Sequence, residues 1–577
     1  MTAGSARIDE LARGFRERYL TYAELTEQVT RWAEAFPHLV SLTSIGTSGA
    51  GRDIWLLAIG PEPERARPAV WVDGNLHAGE LAGSSAALAI AEDALRLHVD
   101  PDAETRDLPG HVRALVRDVL FYVVPRISPD GAEEVLSTGR VVRSVPRDER
   151  PNRAHARWIQ SDMDGDGVIL HMRVRDPAGE LVESEEFPGL LLPRRIEDQG
   201  PYYKLYPEGY IENFDGRHIP DPGMTADNDP DLNRNFPWAW RPEPLQAGAG
   251  PYPASEPESR AVVEAAVARP HIFAWLNLHT FGGVHIRPLG DRPDSKMDQG
   301  DLAVFRQLEA WAKTYTGYPM VSGYEEFTYR PETPLHGDLT DFAFHQRGCI
   351  ALVTELWDLF ARLGVERKKP FVHHYTHLTR EEMVRLARFD AEQNAGRALV
   401  PWRPFSHPQL GEVEIGGFDT RVGVVNPSYE ALPGVCAGQS SLWLRVAAMA
   451  PKVVIRRLEA APAGGDAHVI TMTVENHGYL PTHITAEAKD LPWNEPLWAE
   501  LTAEGECEVV GEAPRREVGH LEGWGTGLQS GTGVPYFQRT RGGGAARTLE
   551  WTVRGRGRIR ARVGSCRVGT AEATVEL

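Results

Sequence analysis

The sequence predicts two units, an α/β domain whose sheet is buried on both faces and an all-β domain after it. Three observations point there. From about residue 20 to 400, short β-rich runs ("PAVWVDGNLH", "VLFYVVPRI", "HIFAWLNLHT", "CIALVTELW") alternate with helical patterns ("AGSSAALAIAEDALRLH", "REEMVRLARFDAEQNAGRAL"). The β-rich runs are continuously apolar, the pattern of strands covered on both sides. After about residue 405 the text changes to period-two runs such as "HVITMTVEN" and "TLEWTVRG", punctuated by Gly, Pro and Asn, which suits a β-sandwich. A chain of 577 residues also exceeds the size at which one core usually keeps growing. The boundary is expected near "PWRPFSHPQLGEVEIGG", giving domains 1–404 and 405–577.

The N-terminal stretch lacks an apolar core behind a basic start, so it does not read as a secretory signal. No later stretch has the roughly 18 apolar residues of a membrane span. With 62 Lys+Arg against 81 Asp+Glu, the net charge of -19 argues against nucleic acid and anionic membrane as partners. The four cysteines, Cys349, Cys436, Cys507 and Cys566, form no close pair, and a reducing cytoplasm is the simplest setting.

The first apolar run ends in "VDGNLHAGELAGSS", which places His77 and Glu80 at a strand-to-helix junction. The bland reading is a capped helix start, with Glu80 near the first-turn amides. The chemical reading is two ligands of a zinc site, which takes imidazole nitrogen and carboxylate oxygen and needs a third ligand from elsewhere. After the turn "SPDG", "GRVVRS" supplies Arg143, a candidate to polarise a carbonyl and hold a developing oxyanion. Between roughly 145 and 260 the pattern dissolves into Pro, Gly and charged residues, an irregular stretch of a kind that is often functional. Within it, Asp162, Asp164 and Asp166 before Gly167 match the start of a calcium loop, although position twelve is Arg173 rather than Glu. The alternative is an ordinary Asp/Gly turn.

In "DPDLNRNFPWAW", Asn233 and Arg234 suit a carboxylate, because the guanidinium fork donates two hydrogen bonds at once. "FAWLNLHT" ends in His279, the candidate third ligand, at a strand C-terminus where open α/β sheets build their sites. "CIALVTELWD" puts Glu355 near the end of another apolar strand, where a carboxylate needs a cation nearby; it is the candidate general base. The C-terminal aromatics Trp443, Trp493, Trp498 and Trp524 read as core residues of a small β domain, with a ligand platform as the alternative.

Taken together, in this order and spacing across about residues 20 to 400, these segments resemble the zinc carboxypeptidase family, the carboxypeptidase A-like metallopeptidases. The resemblance implies a mixed sheet flanked by helices in the first domain, one Zn2+ held by His77, Glu80 and His279, and Glu355 as base. It also implies Arg143 as the oxyanion residue, and Asn233 and Arg234 as the pair that binds the terminal carboxylate of a peptide substrate. The family's mobile tyrosine has no clear counterpart: Tyr329 is the first candidate and His336 its rival. Asp338 and Thr340 are the implied lining of the pocket for the terminal side chain, a pocket that would accept a basic residue through Asp338 or a small or neutral one over Thr340. "VENHGYLPTHIT" resembles the edge of an immunoglobulin-like sandwich. The function so implied is a zinc metallocarboxypeptidase. The alternatives are an amidase or cell-wall peptidase acting on γ-glutamyl or diaminopimelate bonds, and a silent protein that binds C-termini.

Overall fold

The structure, a computed structural model, describes residues 3–102, 105–147, 154–222, 230–328, 330, 333–525 and 543–577. Its centre is an eight-stranded sheet in the order Val40–Thr47, Asp53–Ile59, Leu120–Val124, Ala69–Gly74, Ile272–Thr280, Ile350–Leu356, Val284–Arg287, Met320–Ser322. Leu120–Val124, Ala69–Gly74, Ile272–Thr280 and Ile350–Leu356 run parallel, so their C-terminal ends share one edge of the sheet. Val40–Thr47 and Leu120–Val124 pair antiparallel with Asp53–Ile59, and Val284–Arg287 pairs antiparallel with Ile350–Leu356, which makes the sheet mixed as the resemblance implies. Every residue of Leu120–Val124, Ala69–Gly74 and Ile272–Thr280 is buried, the reason those runs are apolar without alternation.

Helix Ala82–Val99 is rich in Ala, Gly and Ser and buried along nearly its whole length. Small residues let it lie close to the sheet: a Cβ on Gly74 would meet the Gly83 backbone at 2.4 Å. Helix Leu432–Ala447 packs on it, and Leu432, Cys436 and Trp443 share one core with Trp71 and Trp275.

That helix displaces the expected domain boundary. Strands Leu399–His407 and Gly411–Phe418 also belong to the first unit. They form a six-stranded antiparallel sheet with His171–Arg175, Tyr202–Pro207, Leu181–Glu183 and Leu191–Pro193. The segment 145–260, read as irregular, therefore supplies four strands of this sheet, and Arg157–Gln160 pairs with Gly209–Glu212 besides. The strands are short and half-exposed, and the sheet is completed by a pairing more than 200 residues away, that of Arg173 with Glu414; no local period announces them. The β unit proper begins at Val453, not 405, and Trp443 is a helix residue of the first unit.

From Val453 to Glu576 six strands form one antiparallel sheet around a core that includes Ile470, Met472, Trp551 and Ile559. The all-β character is as expected, and the strands are linked into one hydrogen-bonded sheet. The cause is the twenty-residue strand Ala546–Ser565, which pairs with Ala467–Asn476, Leu497–Val510 and Gly569–Glu576 in turn. One strand common to three partners keeps the sheet continuous, and Gly555 at φ +100° lies where it passes from one partner to the next. Among the described residues no helix is long and apolar enough to cross a membrane.

Candidate active site

At the C-terminal edge of the central sheet lies a cleft of about 300 Å³ lined by His77, Glu80, Arg143, Asn233, Arg234, His279, Asp338, Thr340 and Glu355, among others. The sequence thus folds nearly every candidate residue into one place.

His77 and Glu80 arrive there through a turn built by Asn75. Its backbone is left-handed (φ 57°), and its amide donates to the carbonyls of His77 (2.9 Å) and Ala78 (3.0 Å). The helix that follows is not capped by Glu80: the amide of Ala82 is taken by Asn426 at 2.9 Å. Freed from capping, the Glu80 carboxylate turns to the two histidines. Its Oε1 is 2.7 Å from His77 Nδ1 and its Oε2 is 2.9 Å from His279 Nδ1. The two Nδ1 atoms themselves are 3.0 Å apart. Glu80 Oε2 is buried and makes no well-aligned hydrogen bond. Imidazole nitrogens facing each other across such a gap, beside a spare carboxylate oxygen, are stable only around a cation or a shared proton. These three donors fit a zinc ion, which takes this ligand set and keeps one position open.

The outer nitrogens of both histidines are also held. His77 Nε2 meets Asp231 Oδ1 at 3.2 Å, and His279 Nε2 meets the side-chain carbonyl of Asn277, fixing ring orientation. Asn277 in turn donates to Asp73, which also accepts from the indoles of Trp71 (2.8 Å) and Trp275 (2.7 Å); burial pushes Asp73 up to about 6. Burial works against charge on Asp231, but Arg143, Arg234 and His77 hold its carboxyl well below the usual range. Burial likewise opposes a charged His279, yet Glu80 and Glu355 keep it above the ordinary imidazole value.

Glu355 sits opposite His279 in the paired strands Ile272–Thr280 and Ile350–Leu356. Burial and the Glu80 carboxylate push it up to about 8, a value fitted to holding a proton at neutral pH. Arg143 donates from Nε to Asp231 Oδ2 (3.0 Å), with Nη1 3.8 Å from Glu80 Oε1. Its neighbours are engaged elsewhere, Arg140 with Glu134 and Arg147 with Glu256 and Glu258. Asn233 and Arg234 follow Asp231 in a single 3₁₀ turn. Arg234 donates to the Asn233 carbonyl (2.7 Å), and among the described residues it has no carboxylate within ion-pair distance. A guanidinium in that state is available to a ligand's carboxylate.

Asp338 and Thr340 line the cleft; Thr340 Oγ1 is buried without a hydrogen bond among the described residues, while Asp338 accepts from the amide of Asp341 at 2.9 Å. His336 is not among the residues lining the cleft, and its backbone N–H donates to Gln246 at 3.2 Å. Tyr329 lies outside the described residues. Sequence reasoning missed Tyr375, which lines the cleft from helix His373–Thr376 and donates to the Phe281 carbonyl. It also missed Asp231, Asn277 and Asp341; an Asp two residues before the Asn-Arg pair was the readable signal for the first.

Calcium is not supported at Asp162, Asp164 and Asp166. Oxygens of Asp162, Asp164 and Glu208 come within 4.8 Å of one another, without Asp166. Both oxygens of Asp162 accept backbone amides, of Gly165 (2.7 Å) and Gly167 (2.9 Å). Both oxygens of Glu208 do the same for Met163 and Leu170, each at 2.7 Å. Asp166 accepts from Val168 at 2.9 Å, and Arg173 pairs with Glu183 and Glu414 at 2.9 Å each, away from the loop.

The chain matches the zinc carboxypeptidase family profile over residues 25–167 and 212–362, together just over half its length. The unmatched stretch between the two holds the strands from His171 to Pro207. Residues 452–576 match a domain of unknown function. A zinc carboxypeptidase of Saccharothrix mutabilis subsp. capreolus is 30% identical over 141 residues, 24% of this chain and 30% of the relative. A carboxypeptidase B of Astacus astacus is 29% identical over 127 residues, 22% of this chain and 38% of the relative. Each match thus spans well under half of the relative's own length. Among solved structures, a thrombin activatable fibrinolysis inhibitor aligns at 18% identity and a TM-score of 0.40, covering 66% of this chain and 76% of the other. With its profile carried across both halves of the site, the chain belongs to the zinc carboxypeptidase family.

Proposed function

We propose that this protein is a zinc-dependent metallocarboxypeptidase that removes C-terminal residues from peptides with a free carboxylate. The observation that carries the reading is one cleft holding three converging metal donors, a carboxyl opposite them, and an arginine that has no carboxylate partner among the described residues. When bound at His77, Glu80 and His279, zinc supplies Lewis acidity, polarising a carbonyl and making water nucleophilic at neutral pH. Glu355 takes the proton from the attacking water and delivers it to the leaving amine; a dication nearby would draw its pKa down from the value that burial and Glu80 set, so that it starts as a base. Arg143 donates to the oxygen on which negative charge develops. Arg234, positioned by the turn at Asp231 and aided by Asn233, pairs with the terminal carboxylate and sets the register of cleavage. Asp338 and Thr340 meet the terminal side chain. The four unpaired cysteines suit a reducing, cytoplasmic setting.

The test is digestion of one peptide series with free and amidated C-termini, read by mass spectrometry, with Glu355→Gln as control. Stepwise loss of single residues from free termini only, absent in the control, is the expected result. Equal cleavage of amidated peptides contradicts the role of Arg234, and no trimming of any member contradicts the peptidase reading.

A further inference from the structure

Residues 482–494 of the C-terminal sheet unit reach across to the first unit and meet it just behind the pocket floor. The amide of Ala486 donates to Asp301 (2.9 Å to the nearer oxygen), and Glu487 Oε2 lies 2.6 Å from His345 Nδ1. His345 belongs to the continuous helical run from Leu339 to Gln346, one turn after Asp341. Its ring is buried and stacks on Trp238 at 4.3 Å between centroids. With Nδ1 engaged by Glu487, Nε2 has no hydrogen-bond partner among the described residues. A ring nitrogen of His345 and carboxyl oxygens of Asp291 and Asp341 lie within 4.8 Å of one another. Asp341 lines the cleft, accepts from the amide of Gly290 at 3.2 Å, and gives its own amide to Asp338. The path from the second unit to the pocket is therefore short: Glu487, His345, then the turn from Asp338 to Asp341.

We propose that the C-terminal unit is part of the specificity apparatus of the cleft. Glu487, acting through His345, is a positioning residue that holds the Asp338–Asp341 turn forming one wall of the terminal side-chain pocket. The inference rests on the proposed function only in calling this the seat of a terminal side chain. A carboxylate on one ring nitrogen fixes both the tautomer and the orientation of an imidazole, as it does in metal sites. Without Glu487 the buried ring keeps its stacking partner but loses the polar contact that fixes its rotation, and the turn one helical step away loses a fixed neighbour. His77, Glu80, His279 and Glu355 stand on strands or on the turn at Asn75 and do not depend on this contact. The second unit holds the feet of those strands through a separate group. The buried Arg567 guanidinium donates to the carbonyls of Pro270 (3.1 Å), Ile272, Arg347 and Gly348, where strands Ile272–Thr280 and Ile350–Leu356 begin. Changing Glu487 leaves that clamp in place.

The prediction is a change in side-chain selectivity without a matching change in turnover. The experiment measures, on the full chain, calorimetric Kd values for a panel of N-benzoyl amino acids, and kcat and KM for the matching dipeptides. Thermal melting is followed alongside. In Glu487→Leu the spread of affinities across the panel should shrink by about tenfold through KM, with kcat on the best substrate changed by less than about twofold. Glu487→Gln, which keeps an acceptor for Nδ1–H, should retain most of the spread. A Glu487→Leu protein with the wild-type spread overturns the proposal, as does an equal loss for every side chain in step with a lowered Tm, or identical damage from Gln and Leu. Selective binding by a wild type that hydrolyses nothing breaks the peptidase reading and leaves this inference standing. A wild type with no selectivity in binding overturns it.

Discussion

Two clusters in this chain bring ligand atoms within 4.8 Å of one another at motifs that the sequence marks for metal, His77 with Glu80 and His279, and Asp162 with Asp164 and Glu208. They differ in what their lone pairs already do. In the first, Glu80 Oε2 has no well-aligned hydrogen bond and two Nδ1 atoms face each other, with the outer nitrogens occupied by Asp231 and Asn277. In the second, both oxygens of Asp162 and of Glu208 accept backbone amides. A metal at the loop would compete with backbone amides for those oxygens, whereas between the histidines it would replace contacts that the donors make only with one another. Spacing in sequence finds both clusters; only the hydrogen-bond inventory separates them.

Four experiments test the contrast between the two clusters. The largest contrast is between His77→Ala and the double change Asp162→Asn with Asp164→Asn. The first should abolish zinc in elemental analysis and lower turnover by about 10³-fold or more, while the second leaves both within about twofold. Zinc lost from the loop variant, or retained by His77→Ala, reverses the assignment. Next, Glu355→Gln should keep its zinc and lose about 10²–10⁴-fold in kcat, because a proton acceptor is removed and no ligand is. Smaller again, Asp231→Asn should weaken zinc binding by about 10–100-fold, measured by chelator competition, since it removes the carboxylate behind His77.

The smallest effect concerns the loop by itself. Burial, with Asp164 and Asp162 adding to it against the two amide hydrogen bonds, pushes Glu208 up to about 7. Its folded-state pKa thus lies above its unfolded value of roughly 4.3. Between those two values the folded chain holds a proton that the unfolded chain has released, so stability falls as pH rises through the window. Glu208→Gln should remove that fall, seen as a Tm that stays level between about pH 4 and pH 7 where the wild type declines, with the variant starting lower because its amide nitrogen cannot accept one of the two backbone N–H groups. A cation seated on the loop would reverse the sign, by depressing the Glu208 pKa.

The residues that gather in the cleft were legible because each sits in or just after a short, locally recognisable run. His279 and Glu355 lie near the ends of apolar strands, His77 lies three residues past the end of Ala69–Gly74, and Arg234 sits in an Asn-Arg-Asn turn. The residues that orient them were harder to see. Asn277 looks like one polar residue in a buried strand, and its role exists only because the strand bearing Asp73 lies alongside. The same limit hid the sheet joining 171–207 to 399–418, whose pairing spans more than 200 residues of chain. It also misplaced the domain boundary, because period-two text at 411–418 is equally the signature of an edge sheet on the first unit. Nothing in the apolar pattern of 482–494 announces that Glu487 meets His345; that contact belongs to the docked pair of units.

The central claim is that metal binds between His77, Glu80 and His279 and not at the Asp-rich loop. The most direct measurement is an anomalous difference map collected at the zinc edge from crystals of the full chain. The account predicts one strong peak about 2.0–2.2 Å from His77 Nδ1, His279 Nδ1 and a Glu80 oxygen. A peak at Asp162 and Glu208, or none at the histidines in crystals of zinc-replete protein, would contradict it.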